Sequence, residues 1–235
     1  MKKLAIFDID GTIFRKNLHF ELIDELSWLR IFSKDARKTL VRVYADWLEH
    51  RGTYEEYRKK IVSIYERELK GCCQKDIVDA SRKVADFNKD RVYIFTRDLI
   101  KKLKKTKYTI IAISGSPIEI VKEYNKYMKF DEVFGSVYET NGKGCYTGKT
   151  IFEPVKHKGH VVGQFISEKN MTLEGSFGIG DTESDISFLK MVAHPIAFNP
   201  NMNLETAARR KKWKIVVEKK DVIYDIGNFK TIGAK

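Results

Sequence analysis

The run Leu4-Ala5-Ile6-Phe7-Asp8-Ile9-Asp10-Gly11-Thr12-Ile13-Phe14 constrains this chain more than any other segment. Four apolar residues read as a buried strand, which breaks into two carboxylates two residues apart and then a glycine turn. A strand end is a rigid place to hold charge. Two acidic side chains there repel each other unless a cation or a proton lies between them. The run therefore predicts a metal-binding site that does carboxylate chemistry. A strand followed by an ordinary Asp-Gly turn is the plain alternative, and residues further along decide against it.

From about Leu18 to Lys89 the pattern is helical. Leu40, Tyr44, Trp47 and Leu48 share one face, and Tyr54, Tyr57, Ile61, Ile64 and Tyr65 share another. This stretch reads as an insertion of several short helices. Strand and helix then alternate. Tyr108 to Ile113 is a buried strand stopped by Ser114-Gly115-Ser116-Pro117, and Ile118 to Met128 is a helix. Val133-Phe134 suggests a short strand, and a hairpin turns at Asn141-Gly142. His160 to Ser167 is helical, Phe177 to Gly180 is a strand ending at Asp181, and Ile186 to Val192 is a helix. Ile196 to Phe198 and Ile215 to Val217 are the last strands. The alternation predicts an α/β fold, a doubly wound parallel sheet with helices on both faces. Ligands bind such sheets at the carboxyl ends of the strands. Three predicted strand ends carry chemically capable residues: Asp8 and Asp10; Ser114; Asp181 and Asp185.

Composition narrows the function. The 235 residues suffice for one large domain, or for a core with one sizeable insertion. No window offers the roughly 18 consecutive apolar residues of a membrane span. The apolar run behind Met1-Lys2-Lys3 meets Asp8 too early for a secretory signal. Cys72, Cys73 and Cys145 have no metal-ligand spacing and fit reduced thiols in a cytoplasm. The net charge of +12 favours anionic partners, although the basic residues are spread as on a solvated surface. The densest cluster, Arg209 to Lys212, lacks the glycine and aromatic interleaving of a nucleic-acid module.

Oxygen ligands in quantity suit Mg²⁺, which prefers one or two carboxylates plus a substrate phosphate. Ser114 and the N–H groups of Gly115 and Ser116 precede a helix, where unsatisfied amides and the dipole favour phosphate. Lys158, in His157-Lys158-Gly159-His160 just before another helix, is the candidate cation to balance that phosphate, with Lys156, His157 and His160 competing for the role.

Asp8-Ile9-Asp10-Gly11-Thr12, Ser114-Gly115-Ser116, Lys158, and Gly180-Asp181 with Asp185 resemble the four ordered motifs of the haloacid dehalogenase superfamily. The hairpin ending Tyr146-Thr147-Gly148, the Lys158-Gly159 pair and His194 to Pro200 resemble its phosphoserine-phosphatase-like branch, subfamily IB. The resemblance implies a core of residues 1–14 and 91–235 and a helical C1 cap at 15–90. It implies an Mg²⁺-dependent phosphomonoesterase acting on a small phosphorylated metabolite through an aspartyl-phosphate, with phosphoserine the best single guess. Asp8 would be the nucleophile, and Asp10 the acid and then the base. Mg²⁺ would be held by Asp8, the Asp10 backbone carbonyl and Asp181. Ser114, Gly115 and Lys158 would hold the transferring oxygens, with Thr12 and Asp185 in support.

The chain departs from the branch in four places. Ser184 stands where an asparagine is usual, and Ser116 where a second glycine is usual. Glu21 serves as the cap glutamate if a short insertion precedes it; otherwise Asn17 falls there. Ile61 occupies the place of the cap arginine, and Arg58 and Lys60 are expected to face elsewhere. Alternatives are a phosphatase of lipid-derived or sugar or polyol phosphates, and a non-catalytic binder of anionic surfaces or nucleic acid using Arg209 to Lys214. No nucleic-acid partner and a monomer or homodimer are expected.

Overall fold

Alternate residues of the central strands go to opposite faces, and both faces are apolar. Ala5 and Phe7 of strand β1 (Lys3–Phe7) pack on one side; Leu4 and Ile6 pack on the other. Strand β2 (Thr109–Pro117) divides likewise, with Ile110 and Ala112 opposite Ile111 and Ile113. A strand apolar on both faces is stable only between two covering layers. The computed structural model, which describes residues 2–226, supplies both layers.

Four helices follow β1: α1 (Leu18–Trp28), α2 (Lys34–Leu48), α3 (Tyr54–Leu69) and α4 (Gln74–Asn88). Then come α5 (Ile94–Lys105), β2, α6 (Ile118–Met128) and the strands β3 (Glu132–Thr140) and β4 (Tyr146–Phe152). The rest is α7 (Lys158–Lys169), β5 (Thr172–Gly180), α8 (Ile186–Leu189), β6 (His194–Phe198), α9 (Met202–Lys211), β7 (Lys214–Lys219) and β8 (Val222–Asp225). The sheet order is β4-β3-β2-β1-β5-β6-β7-β8. The β3–β4 and β7–β8 pairs at the two edges are antiparallel and all other pairs are parallel. The chain winds one way from β1 through β2 to β3 and the other way from β5 to β7. The carboxyl ends of β1, β2 and β5 therefore flank the crevice where such folds bind ligands.

The helical insertion is tied to the core where the chain leaves it and returns. Arg15 N–H donates to the Arg91 carbonyl at 3.0 Å, and Tyr93 N–H donates to the Ile13 carbonyl at 3.0 Å. Side chains of α1 to α4 share one hydrophobic cluster with Ala5, Phe7, Ile110 and Ala112 of the sheet. The insertion thus has no separate apolar interior; it completes one face of the sheet. Local signals start its helices. Asn17 and Ser33 cap α1 and α2, and Thr53 with Glu56 forms a reciprocal capping box on α3.

Three local features differ from the sequence reading. Strand β2 runs on through Ser114 to Pro117 instead of stopping at Ile113. Helix α9 and strand β8 are absent from the sequence reading: α9 is capped by Asn201 and buries Leu204, Ala207 and Ala208, and β8 forms by pairing with β7. The basic cluster Arg209-Arg210-Lys211 is the last turn of α9, where positive charge complements the helix dipole. Among the described residues, no helix is long and apolar enough to cross a membrane.

Candidate active site

Each acidic group sits where a strand or its following turn must end. Asp8 directly follows β1 and Asp181 directly follows β5. The two turns fit together only because glycine occupies Gly11: a Cβ there would lie 2.2 Å from Asp181 Oδ2, and its φ is +84°. Gly180 is required for a similar reason, since a Cβ would lie 2.4 Å from Asp185 Cγ.

Lys158, 1% exposed, lies between two carboxylates. Its Nζ donates to Asp8 Oδ1 at 2.6 Å and to Asp185 Oδ1 at 2.6 Å. The other oxygen of Asp185 accepts from the N–H groups of Asp181 and Thr182, each at 3.0 Å. Asp185 is thereby saturated with donors. It orients Lys158 and fixes the turn that carries Asp181. Thr12 Oγ1 donates to Asp181 Oδ1 at 3.2 Å. By contrast, Asp8 Oδ2 is buried and has no hydrogen-bond partner. Oxygens of Asp8, Asp181 and Asp185 lie within 4.8 Å of one another.

Asp10 belongs to a different cluster. Its Oδ1 accepts from Leu18 N–H at 2.6 Å, and its Oδ2 accepts from Ser114 Oγ at 2.7 Å and Ser116 Oγ at 2.8 Å. Ser116 N–H also donates to Ser114 Oγ at 2.9 Å. The Ser114 hydroxyl is therefore turned onto Asp10. Gly115 and Ser116, not Ser114, line the small pocket of about 40 Å³ above Asp8 and Lys158. The reason is the extended course of β2 through these residues, which buries Ser114 beneath the chain.

Charge balance at this site is negative. Burial raises the Asp8 carboxyl to about 8; Lys158 opposes the rise, and Asp185 and Asp10 add to it. Burial also raises Asp10, against the hydrogen bonds from Ser114, Leu18 and Ser116. Asp181 is raised well above the carboxylate range by burial and by Asp8 and Asp185. Lys158 goes the other way: burial works against its charge, but Asp185 and Asp8 more than offset that and hold it protonated. One ammonium does not balance this many buried carboxylates, and an unbalanced buried charge is costly.

The helical insertion closes the pocket from above. Tyr54, Arg58 and Ile61, spaced i, i+4 and i+7 on α3, line it together with Asn17 and His19 of the α1 start. Arg58 was expected to face elsewhere, and the structure corrects this. Ile61 and Arg58 share one helical face, and Arg58 reaches the pocket while gripping Glu55 through two bonds of 2.8 Å. Its signal was available in the i, i+4 spacing to Tyr54. Glu21 does not reach this pocket. It lines the larger cavity beside it and pairs with Lys16 at 2.8 Å. Asn17 lines both cavities while its side chain caps Phe20 N–H at 2.9 Å. Ser184 lines the small pocket, and its hydroxyl bonds the Thr182 hydroxyl at 2.9 Å.

Residues 5–190 match the family model described as haloacid dehalogenase-like hydrolase. A curated relative, the histidinol-phosphatase of Neisseria meningitidis serogroup C, is 22% identical over 92% of this chain and 99% of its own length. Phosphoserine phosphatase SerB1 of Mycobacterium tuberculosis is 24% identical over 54% of this chain, which spans 41% of that relative. Among solved structures, a Bordetella pertussis protein of unknown function superposes with a TM-score of 0.73 at 16% identity, covering 92% of this chain and 98% of that one. A phospho-aspartyl intermediate analogue of phosphoserine phosphatase superposes at 0.62 with 23% identity, covering 94% and 95%. These structural likenesses speak to the fold, whereas the family match spans Asp8, Asp10, Ser114, Lys158, Asp181 and Asp185. The chain belongs to the haloacid dehalogenase-like hydrolase family and is an enzyme of the phosphatase type.

Proposed function

We propose that this enzyme is an Mg²⁺-dependent phosphomonoesterase that hydrolyses a small phosphorylated metabolite through a phosphorylated Asp8. The observation that carries the reading is the buried Lys158 bridge between Asp8 and Asp185, beside an Asp8 oxygen that lacks any partner. A bare, buried carboxylate oxygen near Asp181 fits a hard divalent cation, because oxygen donors and surplus negative charge are what such an ion requires. Asp8 and Asp181, with the Asp10 carbonyl, are the residues that would hold it. Bound there, Mg²⁺ supplies positive charge that draws a phosphate dianion towards a carboxylate nucleophile.

The chain's own residues divide the remaining work. An Asp8 oxygen attacks phosphorus; the bond to the substrate's ester oxygen breaks as the Asp8–phosphoryl bond forms. Asp10, kept protonated more readily by burial, gives its proton to the departing alkoxide. It then takes a proton from the water that hydrolyses the phosphoryl group, which frees phosphate and restores Asp8. Lys158 and Gly115 N–H neutralise and orient the equatorial oxygens, while the Ser114 and Ser116 hydroxyls hold the Asp10 carboxyl. A preorganised donor of this kind is worth about 10²- to 10³-fold in rate. The insertion at 15–90 acts as the cap that excludes bulk water during the first step.

The small pocket selects phosphate and says little about the alcohol attached to it. Phosphoserine is the reference substrate, and lipid-derived, sugar and polyol phosphates are the comparison set. The test is phosphate release from such a panel with Mg²⁺, run beside Asp8→Asn. Turnover that needs Mg²⁺, stops with EDTA and falls at least about 10³-fold in the variant supports the reading. Activity in Asp8→Asn within tenfold of wild type removes Asp8 as nucleophile.

A further inference from the structure

Resting on that reading, we infer that the alcohol part of the substrate carries a flat aromatic or heteroaromatic ring, held against the aromatic wall formed by α2 and α3. A cavity of about 480 Å³ adjoins the phosphate pocket and shares Asn17, Tyr54, Asp181 and Thr182 with it. An ester whose phosphoryl group sits over Asp8 must send its alcohol part into this space. The volume lies in the range that encloses a drug-sized ligand. An amino-acid alcohol would leave much of it to water.

The lining explains why a ring is the preferred occupant. Phe20, Tyr44, Trp47, Tyr54, Tyr57 and Tyr93 all face the cavity. Trp47 and Tyr57 stack at 5.1 Å and 19°, with Tyr44 5.8 Å from Trp47 and Tyr54 5.6 Å from it. A flat ligand extends such a stack with ring centroids about 4.5–7 Å apart. Two of the charged groups that an amino-acid substrate would call on are already engaged, and Arg15, also in the lining, lies 5.3 Å over the Tyr93 ring. Glu21 is paired with Lys16, and Arg58 is held in a two-bond grip by Glu55. Burial raises the Tyr54 and Tyr57 phenols, so they remain neutral.

The test pairs two unactivated alkyl esters that differ in the ring alone: benzyl phosphate and propyl phosphate, beside phosphoserine and phosphocholine. Wild type should favour benzyl phosphate by at least about tenfold in kcat/KM. In Asp8→Asn with Mg²⁺, benzylphosphonate should bind more tightly than propylphosphonate and quench Trp47 fluorescence. Trp47→Leu and, at a more exposed site, Tyr44→Ala should each shrink the benzyl-to-propyl ratio. A preference for phosphoserine or phosphocholine, or a ratio unchanged in both variants, overturns the inference while leaving phosphatase chemistry in place. Absence of turnover on every ester, with phosphonates unbound, defeats the underlying reading instead.

A second observation stands independently of the substrate. Cys73, the residue before α4, faces Cys145 of the β3–β4 hairpin with sulfurs 3.7 Å apart. Tyr146 N–H donates to the Cys72 carbonyl and Gln74 N–H to the Gly144 carbonyl, each at 2.9 Å. These bonds flank Cys73 and Cys145 as a non-hydrogen-bonded antiparallel pair, whose Cα atoms lie about 4.5 Å apart. That spacing permits a disulfide. Cys73 is exposed, and Cys145 is half-buried. We propose that peroxide converts this pair into a crosslink that fastens the helical insertion to the hairpin. One cysteine gives up its proton and its thiolate attacks the peroxide O–O bond, giving a sulfenic acid and a hydroxide that takes up that proton as the first water. The second thiol attacks that sulfur, forming S–S and releasing the second water. Cys72 instead donates to the Glu68 carbonyl at 3.3 Å and stays reduced. Mild peroxide treatment should lower the three free thiols to one, with a Cys73–Cys145 peptide pair in non-reducing digests. Cys72→Ser should retain the crosslink and Cys145→Ser should abolish it. Three thiols surviving peroxide, or a crosslink through Cys72, overturns the proposal.

Discussion

The floor and the roof of the catalytic cleft are built on opposite plans. On the floor, Lys158, Asp8, Asp185 and Asp181 are almost wholly buried, and each is positioned by another charge, a backbone N–H or, for Asp181, the Thr12 hydroxyl. On the roof, α2 and α3 present aromatic rings that touch mainly one another, and Tyr44 is 38% exposed. The floor is rigid because a displaced member would leave a buried charge unpaired. The roof tolerates change because ring contacts are individually weak and non-directional. In the proposed reading, chemistry belongs to the floor and discrimination between alcohols to the roof.

The comparison breaks most readily at Lys158. Lys158→Met removes the ammonium shared by Asp8 and Asp185. Stability should fall by about 3–5 kcal/mol in urea denaturation, as when one partner of a buried pair is lost. Turnover should fall by at least about 10²-fold. A variant as stable and active as wild type would show that the floor is no stiffer than the roof.

Next in size is Gly11→Ala. The new Cβ meets Asp181 at 2.2 Å and occupies a backbone with φ of +84°. The expected cost is about 1–3 kcal/mol, with a weakened activity response to Mg²⁺ titration, because Asp181 is the group displaced.

A smaller effect follows from pH. Asp8 has its folded pKa raised from 3.8 to about 8. The folded state keeps a proton that the unfolded chain releases near pH 4. The contribution to stability is full below pH 4 and is lost as pH rises towards 8. Without Mg²⁺, thermal stability should decline over that window. Saturating Mg²⁺ should remove most of the decline, and Asp8→Asn should flatten it.

Smallest is Lys16→Ala. The Lys16–Glu21 pair is half-exposed on the lysine side, so its loss should cost under about 1 kcal/mol. The benzyl-to-propyl ratio should change far less than in Trp47→Leu. A larger change than in Trp47→Leu would move specificity from the rings to the ion pair.

Most of the fold was legible because its signals are local. Strands β1 and β2 announce themselves as apolar runs, and α3 as an amphipathic repeat behind a capping box. The edges were not legible. Val222 to Asp225 is exposed throughout and becomes a strand by pairing with β7. The apolar face of α9 is short, Leu204, Ala207 and Ala208, and two of its three members are alanines. At the site, Asp8, Asp181 and Asp185 could be read from their motifs. The turning of Ser114 onto Asp10 depends on how far β2 extends, which its neighbour β3 helps decide through the Pro117–Ser136 pairing. The spacing of Tyr54, Arg58 and Ile61 puts all three on one face of α3, a local signal for Arg58; that this face lines the phosphate pocket is a tertiary outcome.

The sequence by itself determined which residue types stand at three strand ends, and hence the carboxylate and phosphate chemistry this chain can perform. Chain geometry makes that inevitable: residues that terminate neighbouring parallel strands must meet along one edge of the sheet. Only the tertiary structure decided which Asp8 oxygen is left bare, that Asp185 is saturated by Lys158 and two N–H groups, and that six aromatic rings from α1 to α3 and the α5 start converge on one cavity. Those outcomes depend on relative helix placement, on contacts between residues 150 and 169 positions apart, and on burial that no short window of sequence contains.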